Sequence, residues 1–281
     1  MVELGSLAFV FVAGLITALA TGLGALPFFF LSDVSDRWNV ALWGIASGIM
    51  LSASVFGLVL EALGEYIHVA LSRVAVEPIP QRELMLLAAG LVAGILLVYV
   101  AHDLIEAAEV DPHQYEEADF KKLVLILGVL TVHSFPEGVA VGVSFADLGL
   151  QGGTQLLGFV VPLLAIFMTI AISIHNIPEG VAISIPLRSM GVANWKLVWW
   201  SVFSSLPQPI GAVIAFYFVR AARDFLPAGF GFAAGAMIFL VLTEFIPEAL
   251  AVGRGLPGGG RRELAAGVAA GFLAMVPLVF V

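Results

Sequence analysis

The sequence predicts an all-α membrane protein of eight transmembrane helices in a 3+2+3 arrangement, with helices one to three and six to eight as inverted repeats around helices four and five. Three observations predict it. Of the 281 residues, 60% are hydrophobic and only 12% charged, whereas soluble globular domains run to roughly 45–50% and about 25%. Stretches free of Asp, Glu, Lys and Arg recur at the length of about 20 residues that a bilayer core needs. Finally, parts of the chain repeat at fixed offsets.

The first span lies in Leu4–Ser32. No basic residues precede it and its apolar run exceeds the ~7–15 residues of a signal peptide, so it is expected to remain as a helix. Trp38–Leu60 supplies the second span and Leu84–Ala101 the third. The fourth begins in Leu123–Glu137 and continues to about Ala146, and the fifth lies in Leu148–Ile185, interrupted only by Glu179. Leu197–Val219, Phe225–Thr243 and Leu264–Val281 complete the set, giving one polytopic domain over residues 1–281. Eight crossings put both termini on one side. The loops then place Arg37, Lys121, Lys122, Arg188, Lys196, Arg254, Arg261 and Arg262 opposite Arg73, Arg82, Arg220 and Arg223. By the positive-inside rule the larger set is cytoplasmic and the termini are outside.

Composition also excludes function classes. With 12 Lys+Arg against 21 Asp+Glu and a net charge of −9, the chain has no basic stripe for nucleic acid. It has no cysteine, so disulfides, thiolate metal sites and thiol nucleophiles are ruled out, and a metal would meet N, O or thioether ligands. A homodimer is compatible with the sequence but not required by it.

Two repeats organise the chain. A shift of 187 residues lays Gly44, Ala46, Gly48, Met50, Glu61, Ala62 and Leu63 on Gly231, Ala233, Gly235, Met237, Glu248, Ala249 and Leu250, and Gly24-Ala25 on Gly211-Ala212. Spans two and seven run in opposite senses, so the units are inverted repeats, an architecture common among secondary transporters. Between them, His133-Ser134-Phe135-Pro136-Glu137-Gly138-Val139-Ala140 matches His175-Asn176-Ile177-Pro178-Glu179-Gly180-Val181-Ala182 at six of eight positions.

In each copy the His and Glu are four apart, on one helix face a turn apart. The intervening Pro frees the carbonyls of Val132 and Ile174, and broken helices at membrane depth imply a cavity. A carboxylate there costs at least ~2.5 kcal/mol and is almost always paired or functional. His133, Glu137, His175 and Glu179 form an N/O set suited to a divalent first-row ion such as Zn²⁺. Met50 is either packing or a soft fifth contact.

These residues resemble the ZIP family of divalent metal transporters, whose helices four and five carry a His-Asn-x-Pro-Glu-Gly motif and a related Pro-Glu-Gly motif. The resemblance extends to Gly48-Ile49-Met50, Pro209-Ile210-Gly211-Ala212, Ala233–Phe239 and Glu244-Phe245-Ile246-Pro247-Glu248, and so covers essentially the whole chain. It implies a transport site at Met50, His133, Glu137, His175 and Glu179, with the metal as cargo and no cofactor. Some members hold a second metal beside the first. At the positions that would hold it, this sequence has Ser134, Asn176 and Gln208, and replacing two carboxylates by amides implies one tight central ion.

Other polar clusters have weaker readings. His102, Asp103, Glu106, Glu109, Asp111, His113, Glu116, Glu117 and Asp119 form either a cytoplasmic station for ions or a solvated acidic loop. Glu61, Glu65 and His68 suit an entrance, and Glu244 and Glu248 an exit. The expected function is uptake of a divalent metal, Zn²⁺ first, with Cd²⁺, Fe²⁺ and Mn²⁺ as further candidates, in a prokaryotic inner membrane. One rival, an intramembrane zinc protease, would need a His-Glu-x-x-His string, which does not occur. The other, a metal-responsive receptor, would need a soluble signalling domain, and no loop is long enough to be one.

Overall fold

Inside a bilayer, apolar segments must close their backbone hydrogen bonds internally. The computed structural model describes residues 3–31, 34–63, 80–107, 133–150, 153–189 and 191–279, and these are accordingly helical for the most part. Helix α1 is Leu4–Leu23. Helix α2 is Asp36–Ser52, prolonged through a π-helical turn at Ala53–Val59 to Leu60–Ala62. Helix α3 is Gln81–Ala107, α4 covers 133–144, and α5 is Leu163–Ser189. Helix α6 has two halves, Asn194–Ser204 and Pro207–Ala221. Helix α7 runs from Leu226–Leu240 through a π-helical turn at Val241–Phe245 into Ile246–Val252, and α8 is Arg261–Val279. Among the described residues, six helical stretches are long and apolar enough to cross a membrane, and the chain is an integral membrane protein.

Three expectations change. The fifth span does not reach back to Leu148: α5 starts at Leu163, and the preceding residues hold an antiparallel hairpin pairing Thr154–Leu156 with Phe159–Val161. Its turn residues Leu157 and Gly158 both have positive φ, 50° and 85°, as the tight turns that match strand twist require. A short apolar run cannot by itself distinguish a strand from a helix. The prolines do not break their helices either, since α5 passes through Pro178 and α4 through Pro136. A single proline removes one hydrogen bond, and each of these helices continues on both sides of it. The sixth span is instead the interrupted one, with a turn at Ser205–Leu206 where Pro207 opens the second half.

Small residues set the packing. Helix α2 lies along α8 and α3 along α7. A Cβ placed on Gly48 would lie 2.2 Å from the Val268 carbonyl, and one on Gly235, its counterpart at the 187-residue offset, 2.3 Å from the Leu91 carbonyl. Only backbones without intervening side chains come this close. The π-helical turns recur at the same offset, because Val241–Phe245 falls on residues 54–58. Thus the repeat seen in the residues is also a repeat of contacts and of helix irregularities.

The far end of α4 is tied to α6. Arg220 Nη1 donates to the carbonyls of Ala146 at 3.2 Å and Leu148 at 3.1 Å, and Arg223 donates to Ala146 at 3.1 Å and pairs with Asp147. A cation beside carbonyls at a helix C-terminus satisfies acceptors left without intrahelical donors. Arg220→Met is therefore expected to destabilise the protein by about 1.5–3 kcal/mol, the range for hydrogen bonds to charged groups, read as a lower unfolding midpoint in detergent.

Candidate metal centre

Helices α4 and α5 bring their motifs to the middle of the bundle through two backbone approaches. A Cβ on Gly180 of α5 would lie 1.8 Å from the Thr21 carbonyl of α1, and one on Gly138 of α4 would lie 2.1 Å from the Gln208 carbonyl of α6. Gly138 and Gly180 differ by the 42 residues that separate His133 from His175, and Thr21 and Gln208 by the 187 of the outer repeat. Glu137 and Glu179 end up fully buried and His175 is 1% exposed.

Glu137, His175 and Glu179 each offer a ligand atom, all within 4.8 Å of one another. Zinc bonds of about 2.0–2.2 Å allow ligand atoms to be at most ~4.4 Å apart, so small side-chain rotations close the set around an ion. Of eight buried side-chain atoms without a hydrogen-bond partner among the described residues, five belong to this neighbourhood: His133 Nδ1, Glu137 Oε1, His175 Nε2 and both carboxylate oxygens of Glu179. Each unsatisfied buried group costs about 1–3 kcal/mol, more when charged. A bound cation would satisfy several of them at once. The donor set is nitrogen and carboxylate oxygen, which suits zinc and neighbouring first-row dications.

The expected four-ligand set is only partly assembled. His133 is 2% exposed, but its Nε2 lies 2.8 Å from Glu244 Oε1, and His102 Nδ1 lies 3.2 Å from that same oxygen. Met50 is fully buried in the core cluster that also contains Phe245. The Phe245 ring stacks on His175 at 5.5 Å between centroids with 7° between planes. Ser134 is buried. Asn176 and Gln208 are buried and hydrogen-bonded to each other at 3.1 Å, and Gln208 Nε2 donates to Glu137 Oε2 at 2.6 Å.

The weaker clusters divide. Glu61 and Glu248 are exposed, while Glu65, His68, Val132 and the acidic positions from Glu109 to Asp119 lie outside the described residues, as does the side chain of Glu106. Sequence reading missed the His133–Glu244–His102 chain, because it assigned these residues to three separate features. The available signal was Glu244, a carboxylate adjoining an apolar span, where such a group usually has a partner.

Comparison with known proteins bears on the family of the chain. Residues 108–278, more than half of the chain, match the family model described as ZIP Zinc transporter. Zinc transporter GufA of Myxococcus xanthus is 32% identical over 264 residues, covering 93% of this chain and 94% of that protein. Zinc transporter ZIPB of Bordetella bronchiseptica is 34% identical over 232 residues, covering 82% and 69%. A relative from Arabidopsis thaliana with a zinc-transporter name is 39% identical over 237 residues, which are 83% of this chain but 33% of that protein, so the chain spans about a third of the plant relative's length. Since the family model takes in both His-Glu motifs and GufA aligns almost end to end, the chain belongs to the ZIP zinc transporter family.

Proposed function

We propose that this chain carries a divalent metal ion, zinc foremost, across the cell membrane into the cytoplasm by alternating access. The observation that carries this reading is the set of unpartnered ligand atoms on Glu137, His175 and Glu179, buried together between membrane helices. A carboxylate pair at that depth is costly unless it serves an ion or a pathway. Asn176 and Gln208 are neutral, so among the described residues Glu137 and Glu179 are the carboxylates of the central cluster, enough to neutralise one dication. Met50 and His133 are the further ligands in this reading.

The path from the centre follows increasing side-chain exposure. Glu137 is 0% exposed, His133 3%, Glu244 14% and His102 38%. His133, one turn from Glu137, passes the ion to Glu244, and His102 receives it near the end of α3. The basic residues favour a cytoplasmic location for that end, with both termini outside. The complete architecture in this reading is eight helices in a 3+2+3 arrangement. Helices α2, α3, α7 and α8 form a scaffold through the paired close approaches, and α1, α4, α5 and α6 move against it with the ion.

A hydrolytic role has no support, because the chain has no His-Glu-x-x-His string to hold a catalytic metal and base. The test is zinc uptake into proteoliposomes that contain a fluorescent zinc reporter. Native protein should load the vesicles, and His175→Ala, which removes a central ligand, should lose most of that uptake. Equal uptake by the two proteins would remove the cluster from the pathway, and absence of uptake by the native protein would end the transport reading.

A further inference from the structure

The hydrogen bonds around His175 have a direction that can be worked out from one fixed point. The Thr17 carbonyl of α1 can only accept, and Asn176 Nδ2 lies 2.7 Å from it. Turning the Asn176 amide over would set two acceptor oxygens against each other at that distance, so the amide nitrogen must face Thr17 and Oδ1 must face away. Asn176 Oδ1 lies 3.2 Å from His175 Nδ1. An amide oxygen cannot donate, so the hydrogen in this contact sits on Nδ1. A neutral imidazole then has its lone pair on Nε2, which is buried and without a partner.

The same logic runs the other way from Asn176. Its Nδ2 also donates to Gln208 Oε1 at 3.1 Å, which turns Gln208 Nε2 toward Glu137 Oε2 at 2.6 Å. Both amide oxygens are thereby engaged, one by His175 and one by Asn176. Glu137 keeps one anchored oxygen and a second, Oε1, that has no hydrogen-bond partner and lies 3.9 Å from His175 Nδ1, on the side where that nitrogen carries its hydrogen.

We propose that Asn176 is a positioning residue that holds His175 in the Nδ1–H tautomer with Nε2 bare for the ion, and that Gln208 extends the relay to fix the Glu137 carboxylate. Neither amide is a ligand: each orients one. Partners that fix the tautomer and orientation of a metal-binding histidine are a general requirement of such sites. Here the relay is anchored on a backbone carbonyl of α1, so ligand orientation depends on the docking of α1 against α5. In the other copy of the motif, Ser134 follows His133 in place of an amide, and His133 turns to Glu244. The two histidines therefore take different parts: His175 is the held ligand and His133 the one that passes the ion on. The division of labour rests on the transport reading above; the tautomer does not.

The experiment is nitrogen-15 solid-state NMR of metal-free protein in lipid with labelled histidine, where the His175 signals are identified by their loss in His175→Ala. Native His175 should show a protonated Nδ1 and an unprotonated Nε2. Asn176→Leu, which removes the acceptor, should lose that preference and weaken zinc binding by about 10–100-fold. A native spectrum with the proton on Nε2 overturns the proposal even if Asn176→Leu fails to fold, and so does unchanged zinc affinity in a folded Asn176→Leu. Nδ1–H in a native protein that moves no zinc would leave the tautomer standing and reject the transport reading. Zinc uptake with the Nε2–H form would do the reverse.

Discussion

Glu137→Gln is expected to abolish zinc uptake, lowering the initial rate by more than ~100-fold, since loss of a group that merely orients a ligand already costs 10–100-fold. The two side chains have nearly the same shape, so the change isolates charge. In the native protein Gln208 donates to Glu137 Oε2, and Oε1 is buried without a hydrogen-bond partner, 3.9 Å from His175 Nδ1. A glutamine can still accept that bond with its carbonyl oxygen, but it then turns its amide hydrogens toward the place where the ion should sit. The ion would have to shed its water against one buried carboxylate instead of two, and a dication left with net charge at membrane depth is strongly disfavoured. Initial rates in proteoliposomes, with zinc affinity measured on the same preparation, check this. Transport at the native rate would take Glu137 out of the ion's path.

Glu179→Gln should resemble it in direction, and the comparison between the two is informative. Both Glu179 oxygens lack partners, whereas Glu137 has one oxygen held by Gln208. Glu137 is thus the fixed wall of the site and Glu179 the adjustable one.

Much of this site could be read from residues, for physical reasons. A histidine and a glutamate four apart on a helix share a face whatever the tertiary structure, and charge inside an apolar run demands a partner. The 187-residue repeat was legible because close helix approach excludes side chains, so it leaves a trace in composition at Gly44, Gly48, Gly231 and Gly235. What could not be read depended on side-chain direction. His133 and Glu244 are 111 residues apart and His102 and Glu244 are 142 apart, and no local spacing rule joins them. Asn176 and Gln208 could be recognised as neutral replacements of carboxylates. That their hydrogen bonds form a directed relay depends on the Thr17 carbonyl, a backbone atom on another helix. The hairpin at Thr154–Val161 escaped because its residues are as apolar as the helix that follows.

Gly180→Ala is expected to have the largest effect on stability, above the ~1–3 kcal/mol typical of an added methylene in a packed core. The new Cβ would stand 1.8 Å from the Thr21 carbonyl oxygen, 2.9 Å from its carbon and 3.2 Å from Gly24 Cα. All three are backbone atoms, so no side-chain rotation relieves the clash and α1 must move away from α5. That movement strains the Asn176–Thr17 hydrogen bond at 2.7 Å and the Thr21–Ser205 hydroxyl contact at 2.8 Å. Gly138→Ala should act in the same direction, because its Cβ would meet the Gln208 carbonyl at 2.1 Å. Gly255→Ala is the control, with nothing within 4 Å of the added carbon, and its unfolding midpoint should stay at the native value. Thermal unfolding in detergent ranks the three. If Gly180→Ala unfolds no earlier than the control, α1 is not seated on α5 as described, and the anchoring of Asn176 by Thr17 loses its basis. If it folds with a lowered midpoint, zinc affinity should fall with it, because the carbonyl displaced by the methyl group belongs to the helix that orients His175.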